Sequence, residues 1–327
     1  MEAAHPANPF PGLRPFEAEE DHLFFGREKE IGDLRRRLGS HRFLSVIGTS
    51  GSGKSSLVRS GLIPSLHSGL MIKPGSSWRV AVMRPGGDPI GHLAAALDQP
   101  DILGQGGELA TTSRVLLEAT LRRGSLGIVD AVRHAHLPPS DNVLIVVDQF
   151  EELFRFRRES EASRDEAVAF VKLLLEGARQ QAMPVYVVLT MRSDFIGDCM
   201  RYPGLPEAVN DGQYLVPRMT RDALRLAITG PVAVAGEEIA TRLVLRVLND
   251  LGDDQDDLPL MQHALMRTWD HWSRNGGHGT PIDLPNYEAV GGFKHALSMH
   301  AEEAYQDTAS PDGRRNAERI FRALTDT

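Results

Sequence analysis

Hydrophobic positions along the chain follow two regimes that change near Pro231. Before it, short continuous apolar runs alternate with stretches whose apolar residues recur every three or four positions. After it, only the longer period is found. The runs predict strands at Phe43-Leu44-Ser45-Val46-Ile47, Trp78-Arg79-Val80-Ala81-Val82-Met83, Val143-Leu144-Ile145-Val146-Val147 and Val185-Tyr186-Val187-Val188-Leu189-Thr190, with a short fifth at Tyr214-Leu215-Val216. Between them Ile31, Leu34 and Leu38 share one helical face, and Ala167, Phe170, Val171, Leu174, Leu175 and Ala178 share another. Further helices are expected at 89–97, 112–122, 125–136 and 220–229. A run as uniformly apolar as Val143–Val147 belongs to a parallel strand buried on both faces, so the pattern predicts an α/β fold, a parallel sheet covered on both sides by helices.

From Gly236 onward the periodicity predicts helices at 239–251, 258–273, 287–305 and 312–324, the last with Ile320, Phe321 and Leu324 along one side. The expected division is an N-terminal strap at 1–26, a sheet domain at 27–231, a helical subdomain at 232–280 and a further domain at 281–327. The strap, Asn8-Pro9-Phe10-Pro11-Gly12-Leu13-Arg14-Pro15-Phe16, holds too many prolines for a helix or a central strand. It carries Phe10, Leu13 and Phe16, and so is expected to lie extended with these side chains pressed onto the domain that follows.

The first strand runs into Gly48-Thr49-Ser50-Gly51-Ser52-Gly53-Lys54-Ser55, which fits G-x-x-x-x-G-K-[ST]. A loop that wraps a polyphosphate needs inward N–H groups free of obstruction, which accounts for Gly48, Gly51 and Gly53, while Ser50 and Ser52 complete the turn. Lys54 is the candidate partner of the β- and γ-phosphates and Ser55 that of Mg²⁺. The helix that opens at Ser56 adds its N-terminal partial charge. The third strand ends in Asp148-Gln149-Phe150-Glu151-Glu152. Acids at the tip of a parallel strand lie where ligands bind such sheets, so Asp148 is the candidate second Mg²⁺ partner and Glu151 or Glu152 the group that polarises water. Arg192, at the end of the fourth strand, is placed to sense or stabilise phosphate charge or to pair with Asp194 or Asp198; both readings stay open.

Composition narrows this picture. A net charge of −8 argues against a dedicated nucleic-acid surface. The lone Cys199 supports neither an intrachain disulfide nor a cysteine-rich metal site, and the scattered histidines suggest none. With no apolar stretch near the ~18 residues a membrane span needs and no leader pattern, the expected location is cytoplasmic. No Asn-Lys-x-Asp guanine-reading motif and no Leu-Ser-Gly-Gly-Gln transporter signature occur.

The strap, the Phe24-Phe25-Gly26-Arg27-Glu28 element, the glycine-rich loop, Asp148-Gln149-Phe150-Glu151-Glu152-Leu153-Phe154, Arg192-Ser193-Asp194-Phe195 and Leu258-Pro259-Leu260-Met261-Gln262-His263-Ala264-Leu265 together resemble the bacterial novel STAND NTPase group. The resemblance implies an AAA+-like P-loop core, a three-layer αβα sandwich with five parallel strands in the order 5-1-4-3-2, then a helical subdomain and the start of a winged-helix domain. It further implies a slow ATPase in which ADP holds a closed state and ATP drives opening and self-association, in signalling of the immune or antiviral kind. On this chain it makes Phe25, Gly26 and Arg27 neighbours of the base, Asp148 and Glu152 the Walker B acids, Arg192 a sensor and Pro259 the helical-subdomain residue near the nucleotide. Partner, effector and sensor domains are expected outside this chain, which is expected to be part of a longer protein. The alternatives are an initiator-type AAA+ ATPase acting on DNA, which the acidic balance disfavours, and a scaffold that locks a nucleotide with little hydrolysis.

Overall fold

The computed structural model describes residues 7–67, 76–104, 110–156, 161–181, 183–251, 257–277, 279–308 and 311–325. They form two compact units, Phe16–Met219 and a second that joins Met1–Pro15 to Thr220–Thr327.

The first unit is built on five strands, β1 (Phe43–Gly48), β2 (Ser77–Met83), β3 (Asp141–Val147), β4 (Val185–Arg192) and β5 (Gln213–Leu215). Their spatial order is β2-β3-β4-β1-β5 and every neighbouring pair is parallel. This is the 5-1-4-3-2 order that the resemblance implies. Hydropathy follows position: β1 is buried throughout, whereas the edge strands β2 and β5 leave Val82 and Leu215 exposed. Successive side chains of β3 enter opposite layers. Val143, Ile145 and Val147 pack with Ile90, Leu93, Phe170 and Leu174, while Leu144 and Val146 pack with Leu34, Leu57 and Leu62. Each such burial is worth about 1.5–3 kcal/mol, so two filled layers hold the strand tips that carry the polar residues.

Two expectations about the chain's course are corrected. The helix expected to stop before Pro231 runs through it, Arg221–Val234, because Ile228, Pro231 and Val232 share its buried face; their burial outweighs the missing amide. The units divide instead at Thr220, whose hydroxyl caps this helix by accepting from the Ala223 amide at 3.2 Å. The strap's residues through Pro15 belong to the helical unit rather than to the sheet unit that follows them. Asn8 donates to the Met266 carbonyl at 2.9 Å and to Asp270 at 2.8 Å, and Phe10 is buried in the helical core. From Phe16 the chain joins the sheet unit, and Leu13, between these anchors, is 53% exposed.

The second unit contains helices Arg221–Val234, Thr241–Asp250, Leu258–Arg274, Leu284–Ala289, Gly292–Gln306 and Pro311–Thr325. Its core gathers Trp269, Trp272 and Tyr287 with Ile228, Leu243 and Val247. The single helix expected over 287–305 is broken at Gly291 and Gly292, whose φ angles of 85° and 56° suit glycine. Residues 281–308 and 311–325 contribute helices and no named strand, only an isolated bridge from Ile239 to Ile282. The side chains of Phe321 and Leu324 lie outside the described residues. Among those described, no helix is long and apolar enough to cross a membrane.

Candidate active site

The glycine-rich loop joins the tip of β1 to a helix that runs Lys54–Ser56, widens to a π-helical stretch at Leu57–Leu62 and continues Ile63–His67. Gly51 and Gly53 take φ of 68° and 82°. A Cβ on Gly48 would come within 2.7 Å of Ser52 Oγ, which is buried and donates to the Thr49 carbonyl at 2.9 Å. The loop is therefore folded tightly on itself. Ser50 at its crest is exposed. Lys54 reaches back across it, its Nζ donating to the Gly48 and Thr49 carbonyls at 3.1 and 2.6 Å.

Arg27, 4% exposed, fastens the loop from below. It donates to the Ser52 carbonyl at 3.2 Å and the Pro217 carbonyl at 2.8 Å, and lies 3.6 Å from Glu30. Burial lowers its pKa and the charge of Glu30 opposes that shift. Its donors serve the backbone, so the visible task of this residue is to buckle the loop. Gly26, at φ 84°, turns the chain into it, and Phe25 beside it is half-buried.

Asp148 follows β3 and is 1% exposed. One carboxylate oxygen, Oδ1, accepts from Ser55 Oγ at 2.7 Å and from Thr190 Oγ1 at 2.6 Å; the other, Oδ2, accepts from Arg59 Nη2 at 3.0 Å. Thr190 also accepts from the Gln149 amide at 2.9 Å, which holds Gln149 at φ 56°. Neither Thr190 nor Arg59 was a candidate from the sequence. The available signal for Thr190 was a hydroxyl closing an otherwise apolar strand.

The left-handed turn at Gln149 lets Phe150, Leu153 and Phe154 bury themselves and parts the two glutamates. Glu151, 7% exposed, accepts from the Arg192 amide at 3.3 Å. Glu152 accepts from the Gly86 amide at 3.2 Å, in the turn after β2. Burial pushes the Lys54 ammonium down in pKa; the charge of Glu151 is the strongest opposing influence, and Arg192 adds to the lowering. The Arg192 guanidinium makes a two-pronged pair with Asp194 at 3.1 and 2.7 Å, a bond that holds the Asp194 carboxyl below its usual range.

Because β1 lies beside β4 and β4 beside β3, with Gly48 in register with Arg192, the structure brings together Lys54, Ser55, Asp148, Glu151 and Arg192. Glu152 points to another turn. Ser56 accepts from the Phe16 amide at 3.2 Å. Pro259 belongs to the helical unit, in the first turn of Leu258–Arg274. The Ser55 hydroxyl and Asp148 carboxylate are hard oxygen donors. No cluster of three His, Cys, Asp or Glu able to hold a metal occurs among the described residues. That set fits Mg²⁺, which takes one or two protein oxygens and leaves the rest of its shell to phosphates and water.

A parallel sheet whose first strand ends in this loop, with a buried acid facing the loop's serine from another strand tip, defines a P-loop NTPase. The chain belongs to the novel STAND NTPase 1 family, whose profile matches residues 9–327. Comparison with curated proteins gave no match. Among solved structures, the chain is similar to the Aeropyrum pernix ORC2 protein in ADPNP–ADP complexes, at 14% identity and TM-score 0.54, over 85% of this chain and 70% of that one. It is similar to a Walker-type ATPase of Pyrococcus abyssi at 14% identity and TM-score 0.50, over 96% and 79%. A chain of the Escherichia coli MS115-1 HORMA:CdnC:Trip13 complex matches at 13% identity and TM-score 0.52, over 85% and 91%. At these identities the likeness speaks for the fold.

Proposed function

We propose that this chain is the nucleotide switch of a signalling protein: it binds ATP with Mg²⁺, hydrolyses it slowly, and changes conformation and self-association with the nucleotide held. The observation that carries the reading is the convergence of Ser55, Thr190 and Asp148 beside a loop already closed by Lys54. In it, the loop amides and Lys54 bind the phosphates, and Ser55 and Asp148 hold the metal. Bound Mg²⁺ would neutralise charge on the transferring phosphoryl group. Glu151 is the better candidate to orient water and accept its proton, since its charge acts on Lys54 while Glu152 is engaged at Gly86. A role in antiviral defence or cell-death signalling, in the cytoplasm, belongs to the same proposal, as do partner and effector domains beyond this chain. Phe25 to Arg27 and Pro259 enter it as residues near the base.

One observation favours a second reading, a scaffold that holds its nucleotide with little hydrolysis: the Arg192 guanidinium is held in a two-pronged pair with Asp194. Small-angle scattering of the full chain with ADP and with a non-hydrolysable ATP analogue separates the two. The switch requires different profiles and loss of the difference in Lys54→Ala, because a ligand moves an equilibrium only by binding its states unequally. Identical profiles for two ligands shown to be bound would overturn it in favour of the scaffold.

A further inference from the structure

Arg59 lies on the π-helical stretch behind the glycine-rich loop, its side chain 17% exposed, and is shared by two carboxylates. Its Nη1 donates to both oxygens of Glu17 at 2.8 and 2.9 Å, and its Nη2 to Asp148 Oδ2 at 3.0 Å. Its Nε is buried with no hydrogen-bond partner among the described residues, an arrangement that costs free energy and is kept because the two acids hold the other nitrogens. Glu17 stands where the strap enters the sheet unit. Its neighbour Phe16 donates its amide to Ser56 at 3.2 Å, one helical turn before Arg59, and lies edge-on to Phe24 at 5.6 Å. Phe16 and Glu17 are thus docked on the helix that begins with Lys54 and Ser55.

We propose that Arg59 is a positioning residue that competes with a divalent cation for Asp148, and that Glu17 of the strap sets how strongly it competes. The inference rests on the reading of Asp148 as the metal-side acid. A guanidinium on Oδ2 orients the carboxylate and also offsets the charge that would attract the metal. Glu17 draws part of that positive charge to itself. With Glu17 withdrawn, Arg59 faces Asp148 undivided and the metal is held less tightly; with Glu17 docked, Asp148 is freer to receive it. Arg84 Nε, 4.0 Å from the same oxygen and more exposed, is a second cation beside Asp148.

The test measures Mn²⁺ affinity by electron paramagnetic resonance on the full chain saturated with ADP. Glu17→Gln is expected to weaken Mn²⁺ by about twofold to fivefold and Arg59→Met to tighten it by a similar factor, the range of partly exposed ion pairs. In the double variant the effect of Glu17→Gln disappears. Shifts of the same sign, or a Glu17 effect that survives without Arg59, would overturn the proposal. Because Arg59 is largely buried, the half-exposed Glu17 supplies an arm independent of its folding: Glu17→Asp should restore the wild-type affinity, and an unchanged affinity in Glu17→Gln also overturns the idea. Asp148→Asn separates this failure from failure of the underlying reading. If Mn²⁺ affinity survives in Asp148→Asn, Asp148 is not the metal-side acid; if it falls tenfold or more while Glu17→Gln is silent, only the Arg59 competition fails.

Discussion

The two units bury different things. In the sheet unit Arg27, Asp141, Asp148 and Glu151 are all held away from water, whereas the buried polar residues described in the helical unit are His263, Thr268 and Ser273, set among Trp269, Trp272 and Tyr287. Burying a charge costs several kcal/mol unless partners recover it, so each buried ion needs a reason. Asp141 has a structural one: hydrogen bonds from Ser77, Arg79 and Ser140 hold its carboxyl below the usual range and tie β2 to β3. Asp148 and Glu151 sit at strand tips instead, against the glycine-rich loop. A helical core can be judged by what it packs, a sheet tip by what charge it keeps.

That contrast can be broken most directly in the helical core. Trp269→Ala removes a fully buried ring that lies 5.1 Å from Trp272, and should cost about 3–5 kcal/mol in denaturant unfolding. A loss under 1 kcal/mol would show that the aromatic core does not hold this unit. Next in size is an effect on turnover: Glu151→Gln should slow ATP hydrolysis about a hundredfold with nucleotide affinity retained, while Glu152→Gln should change the rate little. The reverse ranking would return the water-orienting role to Glu152.

The smallest effect concerns His263, the buried histidine of the helical unit. Burial lowers the pKa of His263, and the charges of His300, stacked at 5.1 Å, and of Arg267 lower it further, against a hydrogen bond to the Ala296 backbone. His263 therefore takes up a proton less readily when folded than when unfolded. Its contribution to stability is complete above the ordinary histidine pKa of about 6.5, and falls as pH drops below it by at most about 1.4 kcal/mol per pH unit. Thermal unfolding between pH 5 and 7 should show that slope, and His263→Gln should flatten it. An equal slope in the variant would assign the dependence to another group.

Much of the architecture is legible because burial on both faces demands unbroken apolar runs, which is why β1, β3 and β4 stand out without any structure. Strand order is not a property of the runs; it came from the resemblance. The loop, Ser55 and Asp148 are legible because their chemistry is local. Thr190 and Arg59 are not, since they meet Asp148 across 42 and 89 residues of chain, a proximity created only when the sheet forms. What sends Glu151 and Glu152 to different partners was hidden for a smaller reason, the single backbone angle at Gln149. Pro231 and the Gly291-Gly292 pair misled in opposite senses: burial carried a helix through the proline, and left-handed backbone broke a helix whose side chains kept the right period.

Gln149 pays in backbone strain for a conformation that glycine would adopt at little cost. Anyone seeking a hardier variant would find Gln149→Gly an inviting substitution, and its melting temperature should rise. The gain would come with slack: a glycine there can wander, and the acids on either side would lose the fixed bearing that the strained residue imposes on them. Endurance and aim are set against each other at one peptide.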